Sequence, residues 1–369
     1  MKEKILHTIQ IIREKLSLLW EKAAKEYLPA VKTRIVSLCD KGSAFLKKGM
    51  ENTSGWRSAT LNFALKWWHL AAGVLFIFLV LYYPMGAFLT HHIDIDPDFS
   101  SSKPDDKGPA LPRTLAALIK REITSHTYTP NKPFFHPSAV LDDMPAFQTG
   151  IITGVQNSVR ILSVVNTQSE TLTDAAERLT YPSDVWHIEN WKPAVSSVKR
   201  YKKAQSLLSA YQKKVATVTE NEEETEEKTE KYNLSANAAY SIIEQIAQDT
   251  EYMTALLDDI ARYGAEKVLY SEADDRFYGV KGWAYVYLLV LRDMKKDFAG
   301  IFADERLEEH RHNAEEFLRQ AVSLRPVFVA NGSPESTIIP NHLLNAGFYL
   351  SRAVSELKEL KNIMQAENE

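Results

Sequence analysis

The stretch Trp67 to Leu89, WWHLAAGVLFIFLVLYYPMGAFL, is the one long run of the chain without Lys, Arg, Asp or Glu. As a helix rising ~1.5 Å per residue it reaches roughly 35 Å, against a hydrocarbon core of ~30 Å. Trp67 and Trp68 stand at one end and Tyr82, Tyr83 and Phe88 at the other, as where rings favour the headgroup boundary. A helix lying on the surface of a soluble body carries a polar stripe; this run has none. Pro84 and Gly86 fall where a helix leaving lipid can bend or stop. The pattern predicts a single transmembrane helix within residues 60–90. The alternative is an apolar helix in the middle of a soluble domain.

The run is too long, and lies too far from the first residue, for a cleavable signal peptide, so an uncleaved signal anchor is expected. Residues 1–66 hold 13 Lys and Arg against 6 Asp and Glu, a net +7. The whole chain is −4 and residues 67–89 carry no formal charge, which leaves −11 on residues 90–369. By the positive-inside rule the N-terminus is expected in the cytoplasm and the large C-terminal part outside. The single cysteine, Cys39, falls on the inner side, so no disulfide framework can hold the exported part. At about 280 residues, that part is long enough to fold by ordinary burial of apolar surface.

Four segments follow from this division: basic amphipathic helices over residues 1–55, the anchor at 60–90, an extended linker at 91–112, and an exported all-helical domain at 113–369. In the first, Ile5, Ile9, Ile12, Leu16 and Leu19 recur at helical spacing. That face suits either an anionic membrane surface or a short hairpin packed on itself or on a partner. The linker is rich in Ser, Pro, Gly and Asp. From Arg113 on, the apolar spacing is helical almost throughout, and no strand-like alternation of any length occurs.

The longest element is expected between residues 193 and 263. One arm aligns Val198, Tyr201, Leu208, Tyr211 and Val215; the other aligns Ala239, Ile242, Ile246, Met253 and Ile260. The intervening Glu220–Lys231 run has no Gly or Pro, and Glu and Lys are good helix formers. One continuous helix of ~100 Å is therefore favoured over a helical hairpin with a charged tip. Trp283–Leu291 reads as a central buried helix.

Four stretches together resemble a known bacterial family. They are YYPMGAFLTHHIDIDPDF after the span, PFFHPSAVLDDMPAFQTG (Pro133–Gly150), DDRFYGVKGWAYVYLLVLR (Asp274–Arg292) and VANGSPESTIIPNHLLNAGFYLSRA (Val329–Ala353). The family is Domain of Unknown Function 2333, membrane-anchored proteins for which the resemblance implies an inner-membrane location and an exported helical domain, and no activity. Residues 1–66 and the Glu-rich run at 220–231 depart from its pattern.

No catalytic signature is present: there is no G-x-S-x-G, H-E-x-x-H, C-x-x-C or P-loop. The nearest metal-like spacing, Glu309-x-x-His312, lacks the second such step that a di-iron bundle needs. His91, His92, Asp94, Asp96 and Asp98 suggest a metal site but read better as solvated linker residues. His136 with Asp142 and Asp143, and His342 with Glu335, Ser333 or Ser336, are the candidate acid–base pairs. Aromatics Phe277, Tyr278, Trp283, Tyr285, Tyr287, Phe348 and Tyr349 read as core rather than as a glycan or lipid groove. The acidic exported part disfavours nucleic acid. No catalytic, cofactor-binding or metal residue is assigned and no cofactor is expected. The expected partners are the lipid bilayer and a protein of the envelope, or a second copy of the chain through 193–263. The reading is a membrane-anchored scaffold or partner-binding protein, with an envelope enzyme of the cell-wall hydrolase type, or an accessory subunit of a transport or secretion complex, as alternatives.

Overall fold

The computed structural model describes residues 55–100, 108–189, 192–220, 231–263, 271–326, 329–331 and 341–366. The amphipathic helices expected before residue 55, Cys39, most of the Glu-rich run and the Ser333–Glu335–Ser336 loop lie outside them. The chain divides into two units, Met1–Tyr82 and Tyr83–Glu369. The first contains most of helix α1, Gly55–Thr90. Its Ala71–Thr90 stretch has a mean hydropathy of 2.1 and no buried residue, so it is long and apolar enough to cross a membrane. The helix runs through Pro84 rather than stopping there, and the Thr90 hydroxyl donates to the Gly86 carbonyl at 2.7 Å near its end.

The second unit is all-helical, built around α7 (Ser271–Asp297). Every residue from Ala284 to Leu291 is buried, which is why this segment shows no polar stripe: a helix apolar all round belongs inside. Helix α3 (Asp143–Val165) crosses it at glycines. A Cβ at Gly150 would overlap the backbone of Gly279, and one at Gly282 would overlap that of Phe147. The two backbones therefore approach as only glycine permits. Helices α6 (Ala236–Tyr263), α8 (Glu305–Ser323) and α9 (His342–Ala366) cover further sides of this core.

Helix α2 (Ala110–Lys120) starts three residues before the expected domain boundary at 113. Its first amides, of Ala110 and Leu111, donate to the Asp297 carboxylate at 2.6 and 2.9 Å, so a side chain at the far end of α7 satisfies donors that a helix start leaves free. The short α4 (Glu170–Leu179) is capped by Ser169, whose Oγ accepts from Leu172 N. A two-residue antiparallel pair, β1 (Ile188–Glu189) with β2 (Lys192–Pro193), is the only strand pairing among the described residues apart from an isolated bridge between Asn331 and Asn341.

The single long helix over 193–263 is not formed. Helix α5 (Ser197–Glu220) and helix α6 are separate, because residues 231–234 are not helical. Asn233 holds that stretch: its N–H donates to Asn166 Oδ1 at 2.7 Å and its Nδ2 to the Val165 carbonyl at 2.9 Å, tying it to the end of α3. Ser235 then caps α6 by accepting from Ala238 N. The two arms serve different neighbours, α5 packing chiefly on α4 and α2, and α6 chiefly on α9.

Candidate functional site

Residues 91–100 form neither helix nor strand, with a turn at Pro97–Asp98, and they are not free of the body. Ile93, Ile95 and Phe99 pack against the core. The Tyr285 hydroxyl donates to the Asp96 carbonyl at 2.7 Å, and Arg292 Nη1 donates to the carbonyls of Pro97 and Phe99 at 3.0 and 2.8 Å. The clasp is completed by Arg121, buried in the π-helical turn Arg121–Ser125 that extends α2. Its guanidinium pairs with Asp94 at 3.4 Å and with Glu122 at 2.8 Å, and lies 4.7 Å from the Phe99 ring centroid.

Glu122 is fully buried. Burial alone would raise its carboxyl, but His126 and the Arg121 charge more than offset this and hold it below the usual range. Gln148 from α3 donates to it as well, at 3.1 Å. The acids expected as solvated linker residues are thus divided among tasks: Asp94 takes Arg121, and Asp96 Oδ1 accepts from Asp98 N at 2.9 Å to close a local turn. π-turns inserted in α-helices are frequent at functional positions; this one directs Arg121 and Glu122 inward, where they seat the segment that follows the apolar helix.

A groove of about 830 Å³ opens between α3, α6 and α7. Tyr252, Leu256 and Trp283 line it, with Gly150 and Gly279 where the two helices cross, and Asp142, Glu272, Asp275 and Arg276 towards one end. The Trp283 indole N–H is buried without a hydrogen-bond partner. At that end the first turns of α3 and α7 bring two Asp-Asp pairs together, with Asp143 beside Asp274 and Asp142 beside Asp275. Burial, then repulsion from Asp143, pushes Asp274 up to about 7, and burial with the neighbouring Asp142 pushes Asp275 up to about 6. Tyr278, beside Asp143, is pushed up to about 12, chiefly by burial. Four acids converging on two helix N-termini are attracted by the backbone dipoles and repel one another. Such a rim favours a proton or a cationic group near neutral pH.

The sequence candidates distribute differently. His136 Nδ1 accepts from Ser138 N at 3.2 Å and lies 2.7 Å from Ser138 Oγ, capping the 3-10 turn Pro137–Val140. Its expected partners Asp142 and Asp143 face α7 instead. His342 Nδ1 accepts from Ala330 N at 3.0 Å, again a backbone-satisfying role. Glu309 and His312 are exposed on α8. Among the described residues, no group of three or more His, Cys, Asp or Glu side chains is placed to hold a metal. Phe277, Tyr278, Trp283, Tyr285 and Tyr287 are core as expected, though Trp283 also forms one wall of the groove, whereas Phe348, expected in the core, is exposed on α9.

A lone apolar helix followed by an all-helical body with a clasped connecting segment defines the class of protein. The chain belongs to the bacterial family described as "uncharacterized protein conserved in bacteria" (DUF2333), which matches residues 125–367. That range takes in the groove, the Asp-Asp pairs and α9. No curated protein and no solved structure matches the chain.

Proposed function

We propose that this is a membrane-anchored, partner-binding protein of a bacterial cell envelope, with residues before α1 in the cytoplasm and the helical body in the periplasm. The observation that carries the reading is the Ala71–Thr90 stretch, 20 residues with a mean hydropathy of 2.1 and none of them buried among the described residues. The +7 charge before it and −11 after it support the orientation. The groove between α3, α6 and α7 is the surface to which partner binding is assigned: it is concave, aromatic-walled and rimmed by acids, the composition of a site for one basic segment of another protein. The histidines on which an enzymatic reading rested are both engaged with backbone N–H groups at helix ends.

Photo-crosslinking in intact membranes tests this. A photoreactive residue at Tyr252 is expected to give a discrete adduct that disappears when Glu272→Lys and Asp275→Lys reverse the rim. An adduct indifferent to those changes removes the groove from the proposal. Loss of function in His136→Ala or His342→Ala at unchanged protein level would favour the envelope enzyme instead.

A further inference from the structure

The loop after the π-turn presents apolar surface that folding does not explain. Phe134 is 84 % exposed, Phe135 51 % and Val140 58 %, and Ile188 of the neighbouring β1 is 54 % exposed. The aromatic ones are not scattered. The Phe134 and Phe135 rings lie 5.5 Å apart, and Phe135 meets Trp186 at 5.6 Å, both edge to face. A contiguous exposed patch of this kind marks an interaction surface, whereas single exposed apolar residues do not.

The loop is fixed to the end of α1. The Tyr83 hydroxyl donates to the Phe134 carbonyl at 3.1 Å, and a Cβ at Gly86 would overlap the Pro137 ring. Gly86 is four residues, ~6 Å of helix rise, from Thr90. On the same turns Met85, Phe88 and Leu89 are 63 %, 82 % and 67 % exposed. Whatever solvent surrounds the end of α1 therefore also surrounds the loop.

We propose that Phe134, Phe135 and Val140, with Trp186 and Ile188 beside them, form a second membrane contact of this chain, seated in the headgroup and upper acyl region of the leaflet where α1 ends. The inference rests on the membrane-span reading of Ala71–Thr90 and goes beyond it, because it assigns lipid contact to the folded body. Lipid is the occupant the geometry favours: the loop is held against the last turns of an apolar helix through Tyr83 and Gly86, and Trp with Phe is the composition that settles at the interface. A membrane-seated loop would hold the body against the bilayer at two points.

Depth-dependent fluorescence quenching of the intact chain tests it. In a Cys39→Ser background, which removes the chain's one native cysteine, Phe134→Cys, Val140→Cys, Met85→Cys and Phe348→Cys are each labelled with an environment-sensitive fluorophore. Each is reconstituted in phosphatidylcholine–phosphatidylglycerol vesicles carrying nitroxides at the headgroup or upper acyl chain. The expected result is blue-shifted, strongly quenched emission at 134, 140 and 85, and unquenched emission at 348 on α9. Quenching at 85 with 134 and 140 behaving like 348 overturns the loop contact and leaves the span standing. Absence of quenching at 85 overturns the span reading and this inference with it. A blue shift at 134 that nitroxide lipids do not quench and that grows with protein density identifies a second copy as the occupant, which also overturns the lipid assignment.

Discussion

Six carboxylates of the body show two opposite pH behaviours. Asp274, Asp275 and Asp297 have folded-state values of about 7, 6 and 6, above the ordinary 3.8, with burial the leading cause in each. The folded state therefore binds their protons more tightly than the unfolded chain, and the stability they contribute is lost as pH rises through 6 to 7. Glu122, Asp293 and Glu308 lie on the other side. Burial would raise them, but Arg121, Arg292 and Arg311 with their neighbours more than offset it, to about 2 in the case of Glu308. Their contribution is present above about 4 and lost as pH falls towards 2. Apparent Tm should peak near pH ~4, and Asp274→Asn should raise it at pH 8 while flattening the decline between about pH 4 and 7; an unaltered decline in that variant would refute the pairing with Asp143.

The two partners of the ion pair in that clasp, Arg121 and Asp94, differ just as clearly. Arg121→Ala leaves the buried Glu122 short of its partner and should destabilise by about 3–5 kcal/mol. Asp94→Ala, at a 46 % exposed carboxylate, should cost less than ~1 kcal/mol. Denaturant midpoints, with limited proteolysis over 91–108, would show that order or its failure.

Among the elements, the α3–α7 crossing sets the tightest limit on sequence. Gly282→Ala places a methyl against the Phe147 backbone, which cannot yield as a side-chain end can, so destabilisation by at least 1–3 kcal/mol is expected. Gly347→Ala in α9 meets nothing within 4 Å and should stabilise by about 0.5–1 kcal/mol through helix propensity. Chemical denaturation of both variants decides whether the glycines matter for close approach or only for flexibility. Most helices were legible from apolar spacing, and the all-round apolar Trp283–Leu291 correctly announced a buried helix. The continuous 193–263 helix was misread because Glu and Lys propensity says nothing of which neighbour each arm packs on. The break was nonetheless encoded: Asn233-x-Ser235 is capping chemistry, outweighed in the reading by the Glu run before it. The Asp-Asp pairs were visible as dipeptides, but only a tertiary crossing brings 142–143 to 274–275, so local spacing attached them to His136.

At the scale of the whole molecule, topology rests on one helix and on unequal charge. An apolar stretch of 20 residues tolerates few charges: a Lys near its centre opposes insertion by about 2.5–3.5 kcal/mol. Ile77→Lys with Val80→Lys should therefore shift the chain from the carbonate-resistant pellet to the soluble fraction, while Trp67→Lys, at the expected boundary, should not. Orientation is a separate quantity, expected to follow the basic residues before the apolar Ala71–Thr90 stretch. A reporter fused after residue 100 should read as extracytoplasmic in the native chain. Replacing Lys47, Lys48, Arg57 and Lys66 by Gln should lower that fraction, because it removes the positive charge nearest the helix and leaves the helix apolar. A native fusion that reads as cytoplasmic yet stays in the carbonate pellet would invert the molecule without releasing it. The acid-rimmed groove would then have to find its partner in the cytosol, and the Phe134–Phe135 contact would fall on the inner leaflet.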